Sequence, residues 1–247
     1  MNPTERFTDR AEAYATGRPS YPPAALALLL GGLGDPADVV VADLGAGTEI
    51  GARLLAERGA RVFAVEPNAA MRAAAARDPR VRWIDGTAEA TGLEEASVDL
   101  VVALQAFHWF RPEDALREML RIVRPAGRAA VVYNERDEDD PFTRGYGELV
   151  RRYQTAGNER RRAAGLEAFE SFPGWRGVRR VIAPNEQVMD GAGVVRRASS
   201  TSNLPQDGPP AEALRRELHA LIDAHAAGGR VTMRLRTILV LADVGSG

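Results

Sequence analysis

Val39-Val40-Val41-Ala42-Asp43-Leu44-Gly45-Ala46-Gly47-Thr48-Glu49 is the stretch whose reading decides the fold. Four consecutive apolar residues suit a strand buried on both faces of a parallel sheet, and the strand runs straight into a glycine-rich turn. Gly45 and Gly47 withdraw side chains so that a ligand can approach the backbone, while Asp43 sets a carboxylate at the mouth of the turn. Such a turn favours a cationic ligand over a phosphate.

A dinucleotide fold would require G-x-G-x-x-G, and the third position of that register is Ile50. Glu49 also places a carboxylate in the first turn of the following helix, where a pyrophosphate would need unopposed N–H groups. S-adenosylmethionine carries a sulfonium and an ammonium as well as an adenosine, so acidic residues at strand ends suit it better. It is the cofactor this turn predicts.

Composition narrows the class further. The chain has 247 residues, 45% hydrophobic and 27% charged, with a formal charge of −2, which is ordinary for one large α/β domain and gives no bulk attraction to nucleic acid or an anionic membrane. There is no cysteine, so disulfides, thiolate nucleophiles and cysteine metal sites are excluded. Lysine is absent too, which removes Schiff-base chemistry. No secretory signal or membrane span is visible, and no metal-ligand pattern. The expectation is a cytoplasmic, bacterial protein with a small-molecule partner, acting as a monomer or homodimer, with no nucleic acid or membrane partner.

Strand-like and helix-like segments alternate through the first half, the pattern of a parallel sheet with helices on both faces. Thr48 is placed to cap a helix with Ile50, Leu54 and Leu55 on one face, ended by Gly59. Strands follow at Arg61–Val65, Val81–Ile84 and Val98–Leu104, and Asn68 is placed to cap an alanine-rich helix to about Arg77. Leu116, Met119, Leu120 and Val123 fall at i, i+3, i+4 and i+7, which predicts a helix over Arg111–Val123, stopped by Pro125-Ala126-Gly127. Arg128–Tyr133 is the fifth strand. An acidic loop, Glu135–Asp140, then leads into a polar helical region ending near Phe172. Arg176–Val188 and Arg230–Val244 are late strands, separated by the loop Asn203–Pro210 and a helix whose apolar face is Leu214, Leu218, Leu221 and Ile222.

The segments around these strand ends carry a resemblance. Besides Asp43 to Thr48, they are Arg18-Pro19-Ser20-Tyr21-Pro22, Gly86-Thr87-Ala88-Glu89, Gln105-Ala106-Phe107-His108-Trp109-Phe110 and Asn134-Glu135-Arg136-Asp137. Together they resemble the class I S-adenosylmethionine-dependent methyltransferases of the type 11 small-molecule group, akin to ubiquinone-biosynthesis and trans-aconitate enzymes. The resemblance implies a Rossmann-like α/β fold: a seven-stranded, mostly parallel sheet with an inserted antiparallel last strand and a small helical cap. It implies a single domain over 1–247, with an N-terminal lid at 1–22 and the cap insertion at 135–175. Asp43, Gly45, Gly47, Glu66, Pro67, Thr87, Ala88, Glu89 and Gln105 would bind the cofactor. Glu66 would take the ribose hydroxyls, Thr87 to Glu89 the adenine, and Gln105 the methionine portion. Tyr14 and Arg18 belong to the lid in this reading, with Arg18 facing the cofactor carboxylate. Glu49 stands where the family has a third glycine, so it either turns outward as a first-turn carboxylate, contacts the ammonium, or obstructs binding.

Methyl transfer needs alignment and water exclusion more than covalent catalysis. An acceptor that must lose a proton also needs a base, and His108 is the best-placed imidazole, either as that base or as a structural residue among aromatics. Phe107, Trp109 and Phe110 form either an acceptor-pocket wall or core. Tyr21, Asn134 and Arg136 complete the expected acceptor site. Arg160 to Arg162, with Arg151 and Arg152, either contact an anionic acceptor or form a solvated helix face. Two rival readings are a non-catalytic cofactor-binding homologue acting as a sensor or partner protein, and a nicotinamide oxidoreductase.

Overall fold

The computed structural model describes residues 18–75, 78–154, 159–201 and 203–245. Its seven strands are β1 Val40–Leu44, β2 Arg61–Val65, β3 Val81–Ile84, β4 Val98–Leu104, β5 Val123–Arg136, β6 Arg176–Asp190 and β7 Arg230–Asp243, in the order β3-β2-β1-β4-β5-β7-β6. The pairs from β3 to β5 are parallel, and β7 runs antiparallel between β5 and β6. This is the expected Rossmann-like sheet with its inserted reversed strand. Because the first five strands point the same way, the segments leaving β1, β2, β4 and β5 converge at one end of the sheet.

Helices α1 Pro23–Leu30 and α2 Ile50–Ala56 cover one face, packing Leu26, Leu29, Ala52 and Leu55 against Val41, Val62, Leu100 and Val132. On the opposite face α4 Pro112–Ile122 and α6 Glu159–Glu170 bury Leu116, Met119 and Phe169 against Val40, Val101, Val131 and Val240. Neighbouring residues of one strand thus enter different cores, as the two-residue period of a strand demands. The short α3 Ala69–Ala74 is capped as expected, with the Ala70 and Met71 N–H groups donating to Asn68 Oδ1.

Three local expectations need correction. The Pro125-Ala126-Gly127 segment does not separate helix from strand, because β5 already begins at Val123 and the segment sits inside it at a register shift. Ala126 takes a positive φ of 62° there. The late helix α8 Gly208–His225 starts within the expected loop, since prolines in its first turn lack only N–H groups that a helix start leaves unused. And Thr48 does not cap α2: the N-cap is Glu49, which makes no side-chain cap.

The 135–175 segment contributes to two packing units. Its first helix, α5 Pro141–Tyr153, joins α8 and a helix the sequence reading did not anticipate, α7 Gly191–Ser199, in a third cluster built on Phe142, Tyr146, Val194, Leu218 and Met233. Its second helix, α6, is part of the sheet-face core. Asp190 caps α7 by accepting from the Gly193 N–H at 2.7 Å, which fixes where α7 leaves the sheet.

Candidate active site

The turn after β1 is tied to β2 by the Gly45 and Ala46 N–H groups, which donate to the Val65 carbonyl at 2.8 and 3.1 Å. Gly45 adopts a φ of 69°, and a Cβ on it would lie 2.8 Å from Ala106 Cβ and 3.2 Å from the Phe110 ring. Glycine is therefore required there twice over, by conformation and by space. Gly51 in α2 is required for space alone, since a Cβ there would come within 2.1 Å of Leu104 Cδ1 and 3.0 Å of Asp43 Oδ2. The helix can lie against Asp43 only because that side chain is missing.

Asp43 is 1% exposed. Its carboxylate accepts from the Ala52 N–H, yet burial, with Glu66 nearby, pushes its pKa up to about 8. Its Oδ1 is buried with no hydrogen-bond partner among the described residues, and so is Thr48 Oγ1. Both residues line a small pocket with Gly45, Leu104 and Gln105. A carboxylate oxygen and a hydroxyl buried with unmet hydrogen-bonding capacity suit a ligand that brings its own donors and positive charge, and the cationic end of S-adenosylmethionine does both. These residues fit that cofactor.

Glu66, at the end of β2, accepts from the Gly47 N–H at 3.0 Å through one oxygen and from the Asn68 N–H at 2.9 Å through the other. Burial raises its pKa, and those bonds with the Arg72 charge oppose the rise. Its carboxylate thus stays fixed beside the turn, spanning β1 and β2. Pro67 is half-buried between Glu66 and Asn68. Of the expected adenine residues, Ala88 is buried in the sheet-face core and Thr87 is exposed in a tight turn paired to Ala90. Glu89 accepts from the Arg111 N–H at 2.8 Å, at the start of α4.

Glu49 does not turn outward. It is 5% exposed and sits at a φ of 80°, the left-handed region where a glycine costs nothing and a glutamate is strained. The glycine that the resemblance implies at this position matches what the backbone asks for.

Arg18 and Gln105 line both this pocket and a larger cavity of about 360 Å³ beyond it. Gln105 holds a φ of 59°, and its Oε1 accepts from the Asn134 N–H at 2.8 Å, which locks the end of β4 to β5. Arg18 donates to the Ser200 carbonyl at 3.2 Å. Trp109, Asn134, Arg136 and His108 line the larger cavity. Asn134 is occupied in holding the chain together. Its Nδ2 donates to the Ser20 carbonyl and its Oδ1 accepts from Thr237 and Asn185.

Two acceptor-site expectations move. Phe107 is fully buried, edge-on to Phe110 and Phe169, and belongs to the core and not to the cavity wall. Tyr21 is buried beside the glycine turn and lines the small pocket. Tyr14 lies outside the described residues.

His108 faces the cavity, but its surroundings make it a weak base. Burial and the charges of Arg162, Arg18 and Arg161 lower its pKa to about 3. Tyr133 accepts from the His108 N–H at 3.0 Å and stands 3.4 Å from its Nδ1. The Tyr133 hydroxyl is itself pushed above its ordinary value by burial. The imidazole is neutral, fixed and reluctant to take a proton.

The sequence reading missed Gly51, Tyr133, Tyr146 and Arg197. Gly51 lies one position beyond the dinucleotide register, and only the helix–Asp43 contact shows its use. Arg197 had a faint signal: it falls three residues after Val194 and one before Ala198, bordering the buried face of an amphipathic helix where a charge is unusual.

The strand order and the acid-bearing glycine turn define a class I methyltransferase fold. A family described as a methyltransferase domain matches residues 42–131, from within β1 to within β5. Among curated relatives, an uncharacterized methyltransferase of Mycobacterium tuberculosis is 43% identical over 150 residues, 59% of each chain. One from Schizosaccharomyces pombe is 33% identical over 174 residues, 68% of this chain and 66% of the relative. The chain thus matches about three fifths to two thirds of the length of these relatives. A candidate type II methyltransferase structure from Anaeromyxobacter dehalogenans superposes with a TM-score of 0.63 at 23% identity, covering 92% of this chain and 97% of that one, a likeness of fold.

Proposed function

We propose that this chain transfers the methyl group of S-adenosylmethionine to a small organic acceptor. The observation that carries the reading is the pairing of two cavities across Gln105 and Arg18. One is a small pocket at the glycine turn with the buried carboxylate of Asp43, and the other is a cavity of about 360 Å³, of metabolite size. When bound, the cofactor supplies an electrophilic methyl on a sulfonium. The protein's part is to hold and align: Asp43 and Thr48 take the cationic amino-acid end, Glu66 the ribose, and Gln105 the boundary between donor and acceptor. Trp109 and Tyr133 line the acceptor side. Among the described residues no helix is long and apolar enough to cross a membrane.

Calorimetry with S-adenosylmethionine and S-adenosylhomocysteine tests the donor half, and a labelled-methyl assay across metabolite pools tests the acceptor half. Absence of binding by both compounds to folded protein would end the proposal. A second reading, a cofactor-binding protein without turnover, draws support from the strained and buried Glu49 in the glycine turn. It predicts binding of both compounds with no methyl transfer to any pool. The nicotinamide reading has less support, because Ile50 stands where its glycine register needs a third glycine.

A further inference from the structure

Five arginines and three glutamates line the larger cavity among the described residues, a local excess of positive charge in a chain whose formal charge is −2. The glutamates do not neutralise the arginines evenly. Glu138 is shared, 2.5 Å from Arg151 and 3.5 Å from Arg136, and Glu135 stands 3.8 Å from Arg162. Arg197 has no carboxylate within ion-pair distance among the described residues. Its Nη1 donates to Gln187 Oε1 at 2.6 Å, and its guanidinium lies 6.0 Å from the centre of the Tyr146 ring. Both of those partners are neutral.

We infer that this cavity takes an acceptor bearing a carboxylate, held by Arg197 and Arg136. The inference rests on the methyl-transfer reading above and adds the charge class of its substrate. Holding a half-buried guanidinium with no carboxylate beside it among the described residues is costly unless an anion meets it there. Crowding supports the same conclusion: burial and the like charges of Arg18 and Arg136 lower the Arg197 pKa to about 10, so the three guanidinium groups feel one another across the cavity. The two-pronged guanidinium matches a planar carboxylate in geometry. The excess of charge is modest because glutamates share the wall, which suits a singly or doubly charged acid better than a phosphate ester. Where that carboxylate is itself the methyl-accepting group no base is needed, which agrees with the low basicity of His108.

Matched probes test this on the full chain saturated with S-adenosylhomocysteine. Succinate against succinamide, and benzoate against benzamide, differ in charge with little change of shape, and inorganic phosphate serves as the alternative anion. We expect at least one of the two acids to bind roughly tenfold or more tightly than its amide by calorimetry, the scale of a charge-assisted hydrogen bond. Arg197→Gln should remove that difference, Arg197→Lys should restore part of it, and both variants should bind S-adenosylhomocysteine as the parent does, which shows that they fold. Equal binding of acid and amide in both pairs, an undiminished preference in Arg197→Gln, or phosphate binding more tightly than either acid would each overturn the inference. If acid binding persists while S-adenosylhomocysteine fails to bind, the methyl-transfer reading fails and the anion cavity stands. The reverse pattern sinks the anion cavity alone.

Discussion

The two halves of the site are built on opposite charge. Around the glycine turn the buried groups are acids, Asp43 and Glu66, and Asp43 is held so far from water that it keeps its proton to about pH 8. Across Gln105 the cavity is lined by arginines, one of them pushed down to about 10 and a histidine down to about 3. Each half destabilises its own charges, and each is relieved by a ligand of the opposite sign. The difference teaches that the site is organised by electrostatic demand on either side of one neutral residue. A cation is called for at the strand end and an anion beyond it, so charges of opposite sign would meet at Gln105.

The acid half offers the largest effect. Replacing Asp43 by Asn keeps the shape and removes the charge, and cofactor affinity should fall roughly hundredfold, the cost of truncating one side of a buried charged contact. The same carboxylate should govern the stability of the ligand-free protein. Its folded pKa of about 8 lies above its ordinary 3.8, so the folded state holds the proton more tightly. The stabilisation is full below about pH 4 and is lost as the pH rises through 8. Melting of the parent should therefore fall between pH 6 and 9, while Asp43→Asn stays nearly flat and gains stability at the alkaline end. Saturating S-adenosylhomocysteine should flatten the parent's curve as well, because its ammonium favours the ionised carboxylate. An identical pH slope in parent and variant would show that Asp43 is not the buried acid described here.

Next in size is the turn itself. Gly45→Ala forces a side chain into Ala106 and Phe110 at a left-handed φ, and overpacking with backbone strain should cost about 2–4 kcal/mol. In a chain of this length that lowers the melting temperature by several degrees or more. The acceptor half should be spared in the molecules that remain folded, so a loss of carboxylate binding equal to the loss of cofactor binding would show that the two halves are not separable.

Glu49→Gly acts in the opposite direction. Removing a side chain from a left-handed position releases about 1–2 kcal/mol of strain, less a few tenths to 1 kcal/mol for the greater entropy of unfolded glycine. A melting temperature a few degrees higher is the expected result. If cofactor affinity also falls, the carboxylate belongs to the acid half of the site, and if affinity rises, Glu49 is an obstruction within it.

The two halves also differ in how well the sequence announced them. The acid half is local: Asp43, Gly45 and Gly47 lie within five positions, Glu66 follows at the next strand end, and the strand periodicities that place them survive in the structure almost residue for residue. Short spacings on regular elements can be read because geometry follows from period. The arginine half is assembled from Arg18, Arg136, Arg151, Arg162 and Arg197, five separate segments that meet only through the sheet order and the packing of α5, α6 and α7. No spacing links them. Where the reading failed inside the acid half, at Thr48 and Glu49, the cause was a turn conformation: Glu49, at a positive φ, takes the N-cap place that a serine-like residue would ordinarily hold. Phe107 failed for another reason. An aromatic after a strand has the same sequence signature whether it faces a cavity or the core, and only the packing of Phe169 and Phe110 around it decides the matter.

The smallest expected effect falls on the residue that the sequence made most prominent. His108 is the cavity's one imidazole among the described residues, yet its lowered pKa leaves it neutral throughout pH 5 to 8, and a group so reluctant to bind a proton is a poor general base. Burial first, and then the charges of Arg162 and Arg18, hold it in that state, and Tyr133, whose own hydroxyl resists ionisation, offers no alternative. His108→Asn should therefore lower kcat by less than about tenfold, through lost packing and orientation, and the rate profile of the parent should show no inflection near the ordinary histidine value of about 6.5. A carboxylate that itself takes the methyl group needs no base, because it is already ionised at these pH values. An inflection near 6.5 that disappears in His108→Asn would break the comparison at its centre: burial and the arginine charges together would then be too weak to suppress the imidazole, and the acceptor would be one that arrives protonated.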